Sequence, residues 1–269
     1  MSKFTVVMSV YISDSPVYFV DAVNSLLNQT RLPDEIIIMV DGPVNNNLNQ
    51  AIEIYASNAY IKIIRLKENI GLALSRKKAI KHATNEVIAV MDSDDVSVSN
   101  RFEKQLPLIV NENAGVVGGW IEEFVNEPRD KGKVRKTPIN HKEIFSFGKW
   151  RNPINHVTLM FTKEAYDSVD GYSSVRHSED WDMISRMLIK GIIIKNIPEV
   201  LVHVRAGDEM IQRRRDISQL KGEMKLFIKM YRIGYINFMH LFGNIFIRVI
   251  LRSLPKFITK FTYNSFLRK

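Results

Sequence analysis

Three carboxylates, Asp92, Asp94 and Asp95, directly follow an apolar run at residues 87–91. The run is typical of a short buried strand. Because Asp often forms the turn after a strand, this stretch is either a turn or a ligand site. As a ligand site it would lie beyond the carboxyl end of a strand, where open α/β sheets bind ligands. Mg²⁺ and Mn²⁺ favour carboxylate oxygens, so Asp92 and Asp94 could hold either cation against substrate phosphates, while Asp95 would cap the turn.

A second acidic cluster, Ser178-Glu179-Asp180-Trp181-Asp182, opens a helical pattern at residues 179–189. Acidic residues in a first helical turn are favoured by the helix dipole, which is one sufficient explanation. The other is that one carboxylate faces a site as a general base. A transferase that moves a sugar to a hydroxyl needs a base for the acceptor and a metal for the leaving diphosphate. Asp180 and Asp94 would meet these two needs.

The elements before the first cluster alternate between strand and helix patterns. Strands are predicted at residues 4–11, 35–40, 61–66 and 87–91, and helices at 19–27, 47–57 and 72–80, the last with Leu72, Ser75, Ala79 and Ile80 facing inward. This alternation favours parallel βαβ units in an α/β fold. Right-handed crossovers bring the strand ends to one edge of the sheet. The polar residues expected at that edge are Tyr11, Asp41, Asn69 and Asp92.

Each residue at this edge has a binding interpretation and a plainer one. Tyr11 could stack on a base or pack in the core, and Asp41 could accept a base N–H or belong to a turn. Asn69 and Arg76 bring a helix start and a cation near anionic groups, or form a cap and a solvated side chain. Neither a G-x-G-x-x-G loop nor a Walker loop occurs in the sequence, so a nucleotide-diphosphate site fits better than a dinucleotide site.

The second half of the chain is less regular. Strands are predicted at residues 114–120, 157–161, 192–194 and 200–204, a helix at 163–169, and a charged loop at 127–138. Apolar residues make up 45% of the 269 residues, which is enough for a core. The absence of cysteine excludes disulfides and cysteine zinc sites and fits a reducing compartment. We expect no signal peptide and no transmembrane helix.

The positive charge is concentrated at the carboxyl end. From Arg213 onwards thirteen Lys and Arg residues face two acidic ones, a net charge of +11, which leaves about −2 for the rest of a chain of net charge +9. Basic residues recur every four positions at Arg248, Arg252, Lys256 and Lys260, among large apolar residues. The pattern predicts an amphipathic helix on an anionic membrane surface, broken at Pro255. The alternative is a helix packed on the domain. Nucleic acid is not expected as a partner, because the aromatic residues alternate with large aliphatic ones.

The sequence resembles the family 2 glycosyltransferases of GT-A fold over about residues 3–205. The motifs that carry the resemblance are Ser9-Val10-Tyr11, Ser25-Leu26-Leu27-Asn28-Gln29-Thr30, Val40-Asp41-Gly42, Asn69-Ile70-Gly71-Leu72, Asp92-Ser93-Asp94-Asp95 and Glu179-Asp180. A closer similarity, to bacterial enzymes that assemble O-antigen and amylovoran-type exopolysaccharide, rests on Gly118-Gly119-Trp120, Arg151-Asn152-Pro153-Ile154-Asn155-His156 and the cluster from Ser178 to Asp182.

The resemblance implies an inverting transfer from a UDP-sugar to an undecaprenyl-diphosphate-linked saccharide, with Mn²⁺ or Mg²⁺, at the cytoplasmic face of the bacterial inner membrane. It assigns Asp94 and Asp92 to the metal and Asp180 to the acceptor proton. The donor would be held by Ser9, Tyr11, Asp41, Asn69, Arg76, Asp92 and Ser93, with Tyr11 and Asp41 at the uracil and Asp92 at the ribose. The acceptor would meet Asn155, His156 and Glu179.

The sequence departs from the family pattern at three places. Many relatives have two acids where this chain has Val40-Asp41, and Arg-Asn where it has Arg76-Lys77. Arg205 fits a Tyr-Arg-x-His pattern, but Gly207 stands where the His is expected.

The predicted organisation is a GT-A domain over residues 1–212 and a helical membrane-associating tail over 213–269. The domain divides into a nucleotide-binding half (1–95) and an acceptor half (96–212). A nucleotidyltransferase and a non-catalytic nucleotide-sugar-binding membrane scaffold remain as alternatives.

Overall fold

A computed structural model of the protein describes residues 2–130, 132–173, 178–205 and 217–253. In the first part of the chain four strands, β1 (Phe4–Val10), β2 (Glu35–Val40), β3 (Ile61–Arg65) and β4 (Val87–Asp92), alternate with the helices α1 (Pro16–Leu27), α2 (Asn46–Glu53) and α3 (Leu72–His82). The strands are all parallel and lie in the order β3-β2-β1-β4. The predicted βαβ arrangement is confirmed.

Strand β1 lies between two hydrophobic cores, which explains its unbroken apolar sequence. Val6, Met8 and Val10 face one core with α1 and α2, and Val7 faces the other with α3. A strand covered on both faces has no solvent side, so it does not show the polar alternation of a half-buried strand. Strand β4, which pairs with β1, is likewise covered on both faces.

The second half adds β5 (Val96–Ser97), α4 (Arg101–Val110), β6 (Val116–Phe124), β7 (Lys133–Arg135), α5 (His141–Phe147), a 3₁₀ turn (His156–Thr158), β8 (Met160–Thr162), α6 (Lys163–Asp167), α7 (Glu179–Ile189) and β9 (Ile194–Arg205). Strand β8 is antiparallel to both β4 and β6, while β6 and β9 are parallel and β9 pairs with β5. The sheet is therefore parallel at one end and mixed at the other.

Several element predictions in this half need correction. The two strands predicted at 192–194 and 200–204 are one strand, β9, because a bulge lets it pass Pro198 without losing its pairing with β6. The strand predicted at 157–161 begins as a 3₁₀ turn, and β7 lies inside the predicted loop at 127–138. Helix α2 ends at Glu53 instead of residue 57. Leu72 was predicted to face inward, but it is 52% exposed and faces a cleft described below.

Of two further helices, α8 (Ile217–Arg232) packs against α7, and α9 (Phe238–Ser253) contacts the segment that follows α5. Their buried residues join the second core, and the ring of Phe227 meets that of Trp181 edge-on at 5.4 Å. The inner side of this segment is therefore packed on the domain. None of the helices in the described ranges is long and apolar enough to cross a membrane.

The outer side of α9 is exposed and apolar. Phe238, Met239, Phe242 and Phe246 are each more than half exposed. Arg248, predicted to belong to a basic outer stripe, instead turns inward and donates to the Trp150 carbonyl at 2.9 Å. The side chain of Arg252, the predicted break at Pro255, Lys256, Lys260 and the boundary at 212/213 lie outside what the structure describes.

Candidate functional site

The strand ends predicted to meet do so. Parallel pairing places Ser9 of β1 opposite Asp92 of β4, and Val10 opposite Val40 of β2. Tyr11 and Asp41 therefore leave the sheet side by side. Asn69 reaches the same edge from the loop before α3, where its Nδ2 donates to the Asp41 carbonyl at 3.2 Å. The edge thus collects side chains from four separate segments.

Asp41 holds the loop that precedes α3. Its two carboxylate oxygens accept the backbone N–H groups of Ile70 at 2.8 Å and Gly71 at 3.0 Å, and its side chain is buried. Gly42 makes the approach possible, because its φ is +88° and a Cβ there would lie 2.6 Å from the Asn69 nitrogen. Each carboxylate oxygen can accept a second hydrogen bond, so a role toward a base stays a prediction.

Asp92 forms an ion pair with Arg76 of α3. The arginine is only 7% exposed, and its Nε has no hydrogen-bond acceptor among the described residues. The guanidinium keeps a positive charge at this edge, and charge-assisted hydrogen bonds to an anion are strong ones. Arg76 therefore offers a cationic contact at the edge that Asp92 occupies.

The turn after β4 is tied to the loop after β1. The Ser93 hydroxyl donates to Asp14 Oδ2 at 2.8 Å, and the Tyr11 N–H donates to the same oxygen at 3.0 Å. Burial raises the pKa of Asp14, partly offset by the bond from Ser93. Asp14 was not singled out in the sequence because it lies in a loop without a motif.

The two predicted donor residues at the end of β1 differ in burial. Ser9 is buried and accepts a hydrogen bond from Ser75 at 3.0 Å, whereas the Tyr11 side chain is 44% exposed.

Arg205, at the end of β9, fixes the acidic turn from the other side. Its backbone N–H donates to Asp95 Oδ1 at 2.9 Å, and its Nε donates to the Asp94 carbonyl at 3.1 Å. The guanidinium lies 3.7 Å from the centre of the Tyr18 ring. Burial, reinforced by Asp94 and Asp92, raises the pKa of Asp95 well above its usual range. Asp95 is therefore part of the framework, while Asp94 is exposed.

A third arginine lies beneath the strand that ends in Asp92. Arg101 of α4 is fully buried, donating to the Val90 carbonyl at 2.9 Å and to Gln105 Oε1 at 2.9 Å. Burial lowers its pKa to about 9, while Asp92 and Asp95 oppose the shift. Its side chain satisfies backbone oxygens that would otherwise be buried without a partner.

The donor set at this edge fits a cation shared with a substrate. Within the described ranges, no cluster of three or more His, Cys, Asp or Glu side chains forms a protein-only metal site. Mg²⁺ is commonly held by one or two carboxylates together with substrate phosphates. Asp94, exposed beyond β4, and Asp92, half-buried at its end, supply such a pair.

A cleft of about 210 Å³ opens between α3 and the start of α7. It is lined by Leu72, Ala73, Arg76, Asp92, His156, Tyr172, Glu179 and Asp180. The cleft thus brings together five of the predicted site residues, from both halves of the chain. Asp180 accepts a hydrogen bond at Oδ2 from Asn152 Nδ2 at 2.6 Å. Neither Asn152 nor Tyr172 was assigned a role from sequence, although Asn152 lies inside a quoted motif.

His156 faces this cleft as a neutral imidazole. Its Nε2 lies 2.9 Å from the Tyr172 hydroxyl. Burial, followed by the positive charge of Arg76, lowers its pKa to about 4. The ring can therefore exchange hydrogen bonds with a polar ligand without adding charge.

Asn155, the neighbour of His156, lies behind the cleft wall. It is 1% exposed, and its Nδ2 donates to the carbonyls of Gly119 at 2.8 Å and Arg135 at 3.3 Å. In this arrangement it joins β6 and β7 to the turn that carries His156. The sequence grouped Asn155 with His156 as acceptor ligands, but the structure brings only His156 to the cleft.

Comparison with known proteins identifies the class. The family model described as glycosyl transferase family 2 matches residues 5–170. The chain is 33% identical to the UDP-Gal:alpha-D-GlcNAc-diphosphoundecaprenol beta-1,3-galactosyltransferase of Escherichia coli, over 99% of this chain and 97% of that one. It is 29% identical to the amylovoran biosynthesis glycosyltransferase AmsE of Erwinia amylovora, over 97% and 98%. The mannosyltransferase PcManGT from Pyrobaculum calidifontis, solved with GDP-Man and Mn²⁺, is similar with a TM-score of 0.66 and 17% identity, over 94% and 70%.

The fold and the acid-lined cleft define an α/β protein of GT-A type, as the resemblance implied. The chain belongs to glycosyl transferase family 2. Its similarity to the E. coli galactosyltransferase and to the amylovoran biosynthesis glycosyltransferase extends through α7, α8 and α9, because these alignments cover nearly the whole chain.

Replacing His156 by Gln should make the protein less sensitive to mild acid. With a folded pKa of about 4 against an ordinary 6.5, the unfolded chain binds a proton between these values that the folded protein does not. Stability is therefore lost as the pH falls through this window. Urea unfolding at about pH 7 and about pH 5 should show a smaller loss for His156→Gln than for wild type. The exposed His82→Gln is the matched control, and an equal loss in all three proteins would contradict the prediction.

Proposed function

We propose that this glycosyltransferase catalyses an inverting, divalent-cation-dependent transfer from a UDP-sugar to a lipid-diphosphate-linked saccharide in O-antigen or exopolysaccharide repeat-unit assembly. The observation that carries the proposal is the cleft in which Asp180 faces the edge holding Asp92 and Arg76. The E. coli relative, whose name states a UDP-sugar donor and a diphosphoundecaprenol-linked acceptor, supports both substrate classes.

The donor would lie along the carboxyl edge of the parallel strands. The exposed ring of Tyr11 offers a stacking surface for the uracil, and Asp41 has acceptor capacity for its N–H. Ser9, Asn69 and Ser93 frame the same edge, with Asp92 nearest the ribose. Arg76, which lines the cleft, would meet the diphosphate with its guanidinium, which gives this arginine a second anion besides Asp92.

Asp94 and Asp92 would hold Mn²⁺ or Mg²⁺ against the same diphosphate. The cation would neutralise charge that develops on UDP as it leaves. Arg76 would add to this stabilisation from α3, on the other side of Asp92. The exposure of Asp94 supports its role as the direct ligand, because a cation arriving with the donor must reach it from solvent.

The acceptor would enter beside His156 and Glu179. Asp180 would take the proton of the acceptor hydroxyl while that oxygen attacks the anomeric carbon. With the base and the leaving diphosphate on opposite sides of the sugar, the new bond would form opposite the bond that breaks, and the configuration would invert. Asn152 would keep one oxygen of Asp180 engaged so that the other is directed toward the acceptor.

The alternatives kept open by the sequence make different products. A nucleotidyltransferase would release diphosphate from a nucleoside triphosphate, and family membership favours sugar transfer, which releases UDP. A non-catalytic scaffold would bind UDP-sugar without turnover on any acceptor. Asp92 and Asp180 line one cleft, and Asp94 lies exposed two residues after Asp92, which favours an enzyme.

Asp180→Asn and Asp94→Asn should each lower kcat for sugar transfer by about 100-fold or more while the protein stays folded. The measurement is UDP release and product formation with purified protein, Mn²⁺, a panel of UDP-sugars and a GlcNAc-diphosphate-lipid analogue. Asp167→Asn, an exposed Asp at the end of α6, is the matched control and should match wild type. Full activity in either site variant would refute the assignment of that residue.

We also propose that the protein associates peripherally with an anionic membrane at the cytoplasmic face. The exposed apolar side of α9 and the net charge of +11 after residue 212 support this location, since apolar burial and anionic headgroups act together on such segments. A lipid-linked acceptor would be presented at that surface.

The double variant Phe242→Ser/Phe246→Ser should bind anionic vesicles about tenfold or more weakly, because each Phe buries apolar surface worth on the order of 1 kcal/mol or more. Both rings are more than half exposed, so the fold should not suffer. Co-sedimentation with phosphatidylglycerol vesicles is the measurement, and Ile54→Ser, 66% exposed at the end of α2, is the control. Unchanged binding in the double variant would refute a membrane role for this face.

A further inference from the structure

The carboxyl-terminal helices contact α7, which carries Asp180, and the segment that carries Asn152, its hydrogen-bond partner. We propose that α8 and α9 position this carboxylate for catalysis, with Lys229 of α8 as the principal positioning residue. The inference rests on the proposed function, because it takes Asp180 to be the acceptor base. It assigns to the helix pair a task in the reaction that is separate from membrane association.

The first contact is a buried ion pair on α7. Asp182, two residues after Asp180, is 0% exposed. Lys229 Nζ lies 2.7 Å from its Oδ1 and donates to its Oδ2 at 2.9 Å, while Arg186 of the same helix pairs with Oδ2 at 2.7 Å. A buried carboxylate needs its cations, because desolvation is expensive when one partner is missing. Lys229 therefore fixes the first turn of α7 from a separate helix.

The residue between the two acids is held as well. Trp181 packs edge-on against Phe227, two residues before Lys229 on α8, with ring centres 5.4 Å apart. Its Nε1 donates to the Gly148 carbonyl at 2.9 Å. The first turn of α7 is thus fixed between α8 and the segment that follows α5.

The second contact is made by α9 on that same segment. Asn244, fully buried, donates from Nδ2 to the Lys149 carbonyl at 2.9 Å, and Arg248 donates to the Trp150 carbonyl at 2.9 Å. Two residues further on, Asn152 donates to Asp180 Oδ2 at 2.6 Å. The hydrogen-bond partner of the base is therefore anchored by α9, just as its helix is anchored by α8.

This double anchoring has a specific consequence for catalysis. A general base must lie within hydrogen-bond reach of the acceptor hydroxyl, and a displacement of about 1 Å can lower a rate about 100-fold. The donor residues lie at the carboxyl ends of β1, β2 and β4, in the loop before α3 and on α3, which these contacts do not involve. Loosening α8 should therefore impair turnover and leave UDP binding unchanged.

Lys229→Met should lower kcat by about 10- to 100-fold while the dissociation constant for UDP, measured by calorimetry with Mn²⁺, stays within about twofold. Lys229→Arg retains the charge and should restore kcat to within about fivefold of wild type. Lys225→Met removes an exposed lysine one turn earlier on α8 and should behave as wild type. A folded Lys229→Met enzyme with wild-type kcat would overturn the proposal.

Two more variants separate positioning from general stability. If Lys229→Met does not fold, Asn244→Ala takes its place. The same loss of kcat is expected for Asn244→Ala, and a wild-type kcat would overturn the proposal.

In an Asp180→Asn background, Lys229→Met should lower the residual rate little further, because Lys229 acts through that carboxylate. A full additional loss there would contradict positioning. If Asp180→Asn alone keeps full transfer, the proposed function itself fails, whereas loss in Asp180→Asn with normal Lys229→Met refutes only the inference.

Discussion

The compensation of negative charge at the end of β4 is the constraint on which the rest of the structure depends. Asp92, Asp94 and Asp95 lie within four residues, and like charges so close oppose one another's ionisation. Arg76 from α3 forms an ion pair with Asp92. Arg101 from α4 and Arg205 from β9 add positive charge nearby, Arg101 toward Asp92 and Asp95 and Arg205 toward Asp95. Packing these elements around β4 leaves Asp94 as the exposed carboxylate of the three.

The acceptor side depends on long-range contacts from the carboxyl-terminal helices. Asp180 is held by contacts with residues up to about seventy positions away: Lys229 contacts its helix, and Asn244 and Arg248 contact the segment that carries Asn152. None of these contacts follows a local pattern; they arise from how α8 and α9 pack on the domain. In this account, the segment that meets the membrane surface on its outer side holds the catalytic base on its inner side.

The sequence was most informative where local pattern and tertiary burial agree. Continuous apolar runs predicted β1, β2 and β4, and helical periodicity predicted α7 from Glu179 to Ile189 as the structure has it. Parallel topology then predicted that the ends of β1, β2 and β4 would meet. Strand β9 was split in two because Pro198 ends a ladder locally, and only the pairing with β6 carries the strand past it.

The site was predictable in its strand-end residues and less so in its partners. Asp92 and Arg76 follow from the edge, but which of Asn152 and Asn155 contacts Asp180 depends on a turn that Asn155 ties to β6 and β7. Likewise, Arg248 was placed on a basic outer stripe by its spacing, yet the Trp150 carbonyl draws it inward. Leu72 faces the cleft because helix α3 is covered by the domain along one side only.

The anomeric configuration of the transferred sugar tests the central claim most directly. Asp180 and the acid edge at β4 line one cleft, which in this account commits the enzyme to a single displacement. The product formed from an α-linked UDP-sugar can be examined by the coupling constant of its anomeric proton in NMR spectra recorded early in the reaction. The account predicts a β-linked product from the first turnovers. An α-linked product at that stage would contradict it.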